Sequence, residues 1–246
     1  MGRLLHEDLK RYAEAEDAYR KAIELNPGIA WVWAYLGQLL HEDLKRHAEA
    51  EEAYRKATEL DPENWRAWIR LVELLLEQDG RLSEVFELAD KCSKGHPKNV
   101  ILLNGFAWAF YSARSKVDLG RAEAWAREAV RLSPDESNCQ HTYACILCAM
   151  NKGDEALASA ETYFNDAALV SQRIDDAIEL GVQLAVAGVA REAVNMLQES
   201  PSAAYLEPLI VGLKVFLGEE VKAAAEILEV GKDVAKRISE RKGGRS

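Results

Sequence analysis

Cys139, His141, Cys145 and Cys148 are the residues of this 246-residue chain whose types and spacing could do chemistry. His141, Cys145 and Cys148 stand at i, i+4 and i+7, which is one face of a helix, and Cys139 lies near that helix's start. Thiolate sulfur and imidazole nitrogen are zinc ligands, and four of them would complete a tetrahedral site. A cysteine beside a histidine is also the pairing that a thiol nucleophile needs. Two features favour a plainer role. Zinc fingers set their ligand pairs on two separate elements, whereas this row lies on nearly one. Free cysteine is also a small, adaptable apolar side chain that suits a helix surface. No metal and no cofactor is therefore expected, and a catalytic Cys–His pair is favoured still less. The chain carries no phosphate loop, no G-x-S-x-G, no H-E-x-x-H and no dinucleotide glycine fingerprint, so no enzyme activity is expected either.

The bulk composition narrows the classes further. Charged residues make up 29% of the chain and apolar ones 48%, the balance of a folding chain rather than a disordered one. A net charge of −10 argues against a general nucleic-acid binder, which needs a basic face. Only the end is basic, from Lys232 to Arg245, and its simplest role is to complete the C-terminal dipole of a last helix. No apolar run reaches the ~18 residues of a membrane span. The opening residues MGRLLHEDLK contain no apolar signal region. A cytoplasmic location with reduced thiols is the expectation.

The elements that must position these residues announce themselves by duplication. Residues 2–28 and 37–63 align at an offset of 35, and 21 of the 27 aligned positions are identical. Self-similarity at a fixed period in this range is the signature of a solenoid. Within the second copy, Ala50, Ala53, Tyr54 and Ala57 make one helical stripe, and Leu36, Leu39 and Leu40 make another. The polar HEDLKR stretch between them can turn, and Asp61-Pro62 ends the second helix. One repeat is thus an αα-hairpin that cannot bury its apolar face alone. Gly37 and Ala50 are expected where the two helices cross closely, with Trp33 and Tyr54 filling space beside them.

The pattern Trp33-x2-Leu36-Gly37-x2-Leu40, then Ala50-x3-Tyr54, then Pro62 resembles the tetratricopeptide repeat. It departs from that family in having Leu40 where tyrosine is usual. It departs also in its period of 35, whose extra residue is expected in the turn around Asp43 to Arg46. A third repeat follows with Trp68, Leu71, Leu75, Val85, Ala89 and Pro97. A fourth carries Phe106-Ala107, Ala122, Ala126 and Pro134, with a longer turn YSARSKVDLG. A fifth carries Tyr143-Ala144, Ala156, Ala160 and Tyr163. The resemblance implies an all-α, right-handed α-α superhelix with about five repeats over 1–165. Degenerate hairpins over 166–246 would cap it. Pro208 either opens a helix there or kinks one. Met1-Gly2 aligns with Leu36-Gly37, inside a helix of the repeat, and so the chain is expected to be the C-terminal part of a longer protein.

What the resemblance implies about function is protein–protein interaction. The family binds on a concave face formed by the first helix of each repeat. Carried onto this chain, its outward positions are Trp31, Ala34, Gln38 and His41 in repeat two, and Arg66, Ile69, Glu73 and Leu76 in repeat three. They are Ile101, Asn104, Trp108 and Tyr111 in repeat four, and Asn138, His141, Cys145 and Cys148 in repeat five. The Cys/His row is therefore expected on the groove and not in the core. Trp31 is the favoured anchor, because Trp33 already takes the structural tryptophan place, and Trp65 is expected to pack at the repeat junction. The partner would be a peptide or helical segment of another protein, or a further domain of the same polypeptide. Two other roles remain open. One is the sensor or scaffold arm of a larger bacterial-type signalling, defence or caspase-like protein. The other is self-association through the open N-terminal repeat.

Overall fold

The structure is a computed structural model that describes every residue except Met1, Leu9, Ser115, Lys116, Lys222, Ala224 and residues 244–246. Two residues of the turn YSARSKVDLG and the last of the basic end thus lie outside the described residues. Helices are the only regular elements among those described. They fall into two compact units, Met1–Val117 and Asp118–Ser246.

The first unit opens with a π-helical turn, Leu4–Asp8, followed by α1 (Tyr12–Leu25) and α2 (Ala30–Gln38). A second π-helical turn, Leu39–Asp43, leads to α3 (His47–Leu60), α4 (Trp65–Glu77), α5 (Leu82–Gly95) and α6 (Val100–Ser112). Hairpins form where expected: α2 packs on α3, and α4 on α5. The first helices of successive repeats also touch, α2 with α4 and α4 with α6. Asparagine side chains start two of them. Asn64 Oδ1 accepts from the Ala67 amide at 3.2 Å, and Asn99 Oδ1 from the Leu102 amide at 3.0 Å.

The extra residue of the 35-residue period is taken up earlier than the sequence suggests. It widens the last turn of the first helix into the π-helical segments Leu4–Asp8 and Leu39–Asp43. The Leu44 amide then bonds the Leu39 carbonyl at 3.0 Å, and the Arg46 amide bonds Leu40 at 2.7 Å. One residue added to a helix is accommodated as a single π turn, which spares the rest of the hydrogen-bond ladder. Lys10 and Lys45 close the turns with φ of 52° and 55°.

Close approach of helix to helix explains the glycine of the motif. A methyl group on Gly37 would stand 2.7 Å from the ring of Tyr54, which is fully buried. The same holds at Gly2 and Tyr19, at 2.6 Å. The motif tryptophan does more than fill space. Trp33 Nε1 donates to the Pro27 carbonyl at 2.9 Å, and Trp68 Nε1 donates to Pro62 at 2.9 Å. In the second unit Gln140 holds that place and its Nε2 donates to Pro134 at 2.7 Å. α2, α4 and the helix that carries Gln140 are each thereby tied to the proline that ended the previous repeat.

The charged AEAE-YRK faces are a lattice rather than isolated solvated groups. Arg46 binds Glu16 at 2.8 Å and Glu49 at 2.6 Å. One period later Arg81 binds Glu51 at 2.5 Å and Glu84 at 2.6 Å. Hydrogen bonds from Arg46 to Glu49, and from Arg81 to Glu51, hold both carboxyls below the usual range. Depressed folded pKa values contribute stability above the unfolded value that is lost as pH falls through the folded one. Melting temperature is accordingly expected to fall as pH drops below about 4.5, the ordinary glutamate value. Part of that slope should disappear in Arg81→Gln, and added salt should lower the melting temperature at pH 7. A pH profile of thermal melts checks both.

The second unit runs α7 (Gly120–Leu132), α8 (Ser137–Ala149), α9 (Gly153–Asn165), the short α10 (Ala167–Gln172), α11 (Ile174–Val186), α12 (Ala190–Glu199), α13 (Glu207–Phe216) and α14 (Ala225–Gly243). α8 and α9 pair, as do α11 with α12 and α13 with α14. Pro208 stands in the first turn of α13 and does not kink it, since its missing N–H is not needed there. α14 ends with Arg241 and Lys242, and Arg237 and Arg241 both pair with Glu179 on α11. The fold class is the expected one, all-α and built as a tetratricopeptide-like succession of helical hairpins.

Candidate functional site

The first helices of the first unit line a cleft of about 750 Å³. Five residues expected on the concave face meet there: Trp31 and Gln38 from α2, Arg66 and Glu73 from α4, and Trp108 from α6. Ala34 and Ile69 lie among them. Helical spacing puts them on one side of each helix, and the contacts of α2 with α4 and α4 with α6 set the three sides next to one another. Trp31 is 57% exposed and Trp108 39%, far more than a packed core aromatic would be.

Seven lining residues were not among those expected on this face: Arg3, Tyr35, Tyr54, Asn64, Trp65, Ala67 and Arg70. Trp65 is in the cleft wall rather than confined to the repeat junction, with the Arg66 guanidinium 4.9 Å from its ring centroid. Tyr35 stacks on Tyr19 at 6.2 Å and meets the edge of Trp31 at 6.1 Å. Arg3 comes from the first repeat. Arg70 lies four residues after Arg66 and three before Glu73, a spacing that in retrospect marks it for the same face. It bridges repeats by binding Glu42 at 2.9 Å and Glu73 at 3.1 Å. Burial pushes the Glu73 carboxyl up, and Arg70 opposes that only in part. Arg66, by contrast, pairs with no carboxylate among the described residues, so the cleft presents an uncompensated cation inside an acidic chain.

A second cleft of about 520 Å³ shares Arg70 and Glu73 and continues past His41, Glu42, Leu76 and Glu77 to the end of α6. His41 is buried, and its Nε2 lies 3.1 Å from Glu77 Oε2. Asn104 is half-buried, and its Oδ1 is a buried acceptor with no hydrogen-bond partner. Ile101 is exposed.

The other expected groove residues are placed differently. Tyr111 is buried: its ring lies 5.3 Å from Trp108, and Arg114 covers it at 4.6 Å. Its position near the end of α6 turns it inward. Cys139, Cys145 and Cys148 are likewise buried, because α7, α9 and α11 all pack on α8. The row therefore belongs to the core of the second unit and not to an open groove. His141 is half-buried against Tyr163, with ring centroids 4.7 Å apart, and Asn138 is half-buried too. Cys145 Sγ approaches His141 Nε2 at 3.7 Å, yet the row does not bring three ligand atoms to one point. Burial holds His141 below its ordinary pKa and pushes the thiols of Cys139 and Cys92 up to about 11 and about 12. Protonated, inaccessible thiols react slowly. All four cysteines are expected to resist a thiol reagent in the native chain and to label together on denaturation. Rapid native labelling at Cys145, mapped by mass spectrometry, would restore the nucleophile reading.

Among the described residues no helix is long and apolar enough to cross a membrane. Two tetratricopeptide-repeat family models match this chain, one over residues 4–64 and the other over 42–88. No curated protein sequence matches it. Among solved structures it is similar to YrrB, described as a TPR protein with an unusual peptide-binding site. That likeness has 20% identity and a TM-score of 0.50, over 81% of this chain and 99% of the other. It is similar also to yeast Tom70, with 20% identity and a TM-score of 0.58. There the match covers 95% of this chain and 44% of Tom70.

Proposed function

We propose that this chain, whose residues 4–88 match tetratricopeptide-repeat models, binds a peptide or extended segment of a partner protein along the cleft of its first unit. The observation that carries the reading is the convergence of Trp31, Trp65 and Trp108 with the unpaired Arg66. Exposed tryptophan and arginine are the side chains that most often carry binding energy at protein interfaces. An apolar or aromatic side chain of the partner would sit between the indoles. An acidic group beside it would meet Arg66, whose charge survives in a chain of net −10.

The mechanism is recognition, with no bond made or broken. The clefts hold Arg–Glu pairs already bound to each other. Likeness to a protein described as peptide-binding supports the same class of role. The wall is rigid, because Gly37 against Tyr54 and the proline-tied Trp33 and Trp68 fix the helices that carry it. Binding to a preformed wall costs less ordering of the receptor.

Selection from a random displayed-peptide library against the intact chain tests this. Enriched sequences should combine an aromatic or bulky apolar residue with a nearby acidic one. They should compete with one another for a single site. Selected peptides that bind Trp31→Ala/Arg66→Ala as well as the parent chain would place recognition elsewhere.

A further inference from the structure

Of the six positions at which the near-identical copies differ, one lies beside the buried histidine of each copy. Residue 12 of the first copy is tyrosine, and its equivalent, residue 47, is histidine. In the first copy His6 Nε2 lies 2.8 Å from Asp43 Oδ2, and the Tyr12 ring stands edge-on to His6 with centroids 6.2 Å apart. In the second copy His41 Nε2 lies 3.1 Å from Glu77 Oε2, while His47 Nδ1 stops 3.9 Å from that oxygen. That distance is too long for a hydrogen bond. One ligand atom from each of His41, His47 and Glu77 lies within 4.8 Å of the other two.

We propose that His41, His47 and Glu77 form a binding site for a divalent transition-metal ion such as Zn²⁺. Two imidazole nitrogens and one carboxylate oxygen are a ligand set that zinc and its neighbours accept, with a water completing the tetrahedron. Bonds of about 2.0–2.1 Å in that geometry separate ligand atoms by roughly 3.3 Å. Two of the three separations, 3.1 and 3.9 Å, already bracket that value, and the third is within 4.8 Å. The closing adjustment falls on the right residues. His41 is held by burial in the middle of the π-helical turn, its side chain 7% exposed, whereas those of His47 and Glu77 are 41% and 58% exposed and can turn toward it. The π turn matters because a widened turn re-aims the residues around it. His41 thereby meets His47, six residues on, with ring centroids 5.6 Å apart. The surroundings tolerate a cation. Glu42, Glu73 and Glu77 line the adjoining cleft against Arg70 and Lys45, and Arg70 is already paired with Glu42 and Glu73. The alternative is that His41–Glu77 is only an inter-repeat hydrogen bond, as His6–Asp43 is.

Calorimetric titration of the intact chain with Zn²⁺ separates the two. One equivalent is expected to bind. His47→Tyr, which installs the residue the first copy uses, should weaken binding at least about tenfold, as should Glu77→Gln. Circular dichroism should show unchanged helix content in His47→Tyr. Co²⁺ at the same site should give a d–d spectrum without a thiolate charge-transfer band. No Zn²⁺ binding by the parent chain, or equal affinity in His47→Tyr, overturns the proposal. So does loss of binding in Cys145→Ser with His47→Tyr unaffected, which would place the metal on the Cys/His row.

Discussion

Replacing Trp31 and Arg66 together by alanine is expected to weaken a selected peptide by ~2 kcal/mol or more, about thirtyfold in Kd. The size follows from what each side chain does before any partner arrives. Trp31 leaves more than half of its surface in water, held at its base by the edge of Tyr35. Covering an indole on a rigid base gains apolar burial and requires little ordering of the receptor. Arg66 is already oriented over Trp65, so an acidic group that meets it finds a preorganised charge. A rim ion pair alone is worth little, about 0–1 kcal/mol. The larger share should therefore come from Trp31, and Trp31→Phe should recover more binding than Arg66→Lys. Neither residue packs in the core, so the melting temperature of the double variant should stay near that of the parent. Isothermal titration with the selected peptide, read beside a thermal melt, checks both. Unchanged affinity with unchanged stability would reject the cleft as the binding surface.

Gly37→Ala is expected to destabilise the chain, against the usual rule for glycine in a helix. Alanine in a helix interior is better than glycine by about 1 kcal/mol. Here its methyl would meet the Tyr54 ring at 2.7 and 2.8 Å, nearly an ångström inside ordinary contact. The ring cannot retreat, being fully buried with His41 at its edge. Overpacking of this kind costs roughly 1–3 kcal/mol, so the clash outweighs the helix gain in most of that range. The diagnostic is the coupling. In a Tyr54→Leu background the same substitution should become neutral or stabilising, a non-additivity of about 1 kcal/mol or more. Gly95→Ala is the control, since a methyl there meets nothing within 4 Å. Urea unfolding of the four variants measures the cycle. Additive effects of Gly37→Ala and Tyr54→Leu would sink the close-crossing account. Because Tyr54 also lines the cleft, Gly37→Ala should weaken peptide binding as well.

Much of the candidate site was legible in the sequence, and for a definite reason. The spacing that puts Trp31, Gln38, Arg66, Glu73 and Trp108 on one side of their helices is a local property, and a fixed period repeats it. Arg70 had the same kind of local signal, at i+4 from Arg66. Trp65 had none, because a residue at the very start of a helix turns toward whichever neighbour the preceding loop allows. Tyr111 and the Cys/His row had the correct periodicity and the wrong surroundings. Periodicity says which residues share a face but not what covers it.

That divides what each level decided. By itself the amino-acid sequence determined the helical hairpins and their period, because alternating helical stripes, prolines and small crossing residues act within some 35 residues of chain. It also marked Gly37 and Ala50 as a close crossing, since steric fit follows from side-chain size, whereas the ring that Gly37 meets, Tyr54, was decided by the packing. Tertiary structure alone decided burial and long-range pairing. α11 packing on α8 placed Cys145 and Cys148 in a core, Arg46 and Arg81 found carboxylates 30 residues earlier, and Glu77 came back onto His41 and His47. Contacts such as these depend on how one repeat seats upon the next, through close packing and charge in three dimensions, and no stretch of sequence contains that seating.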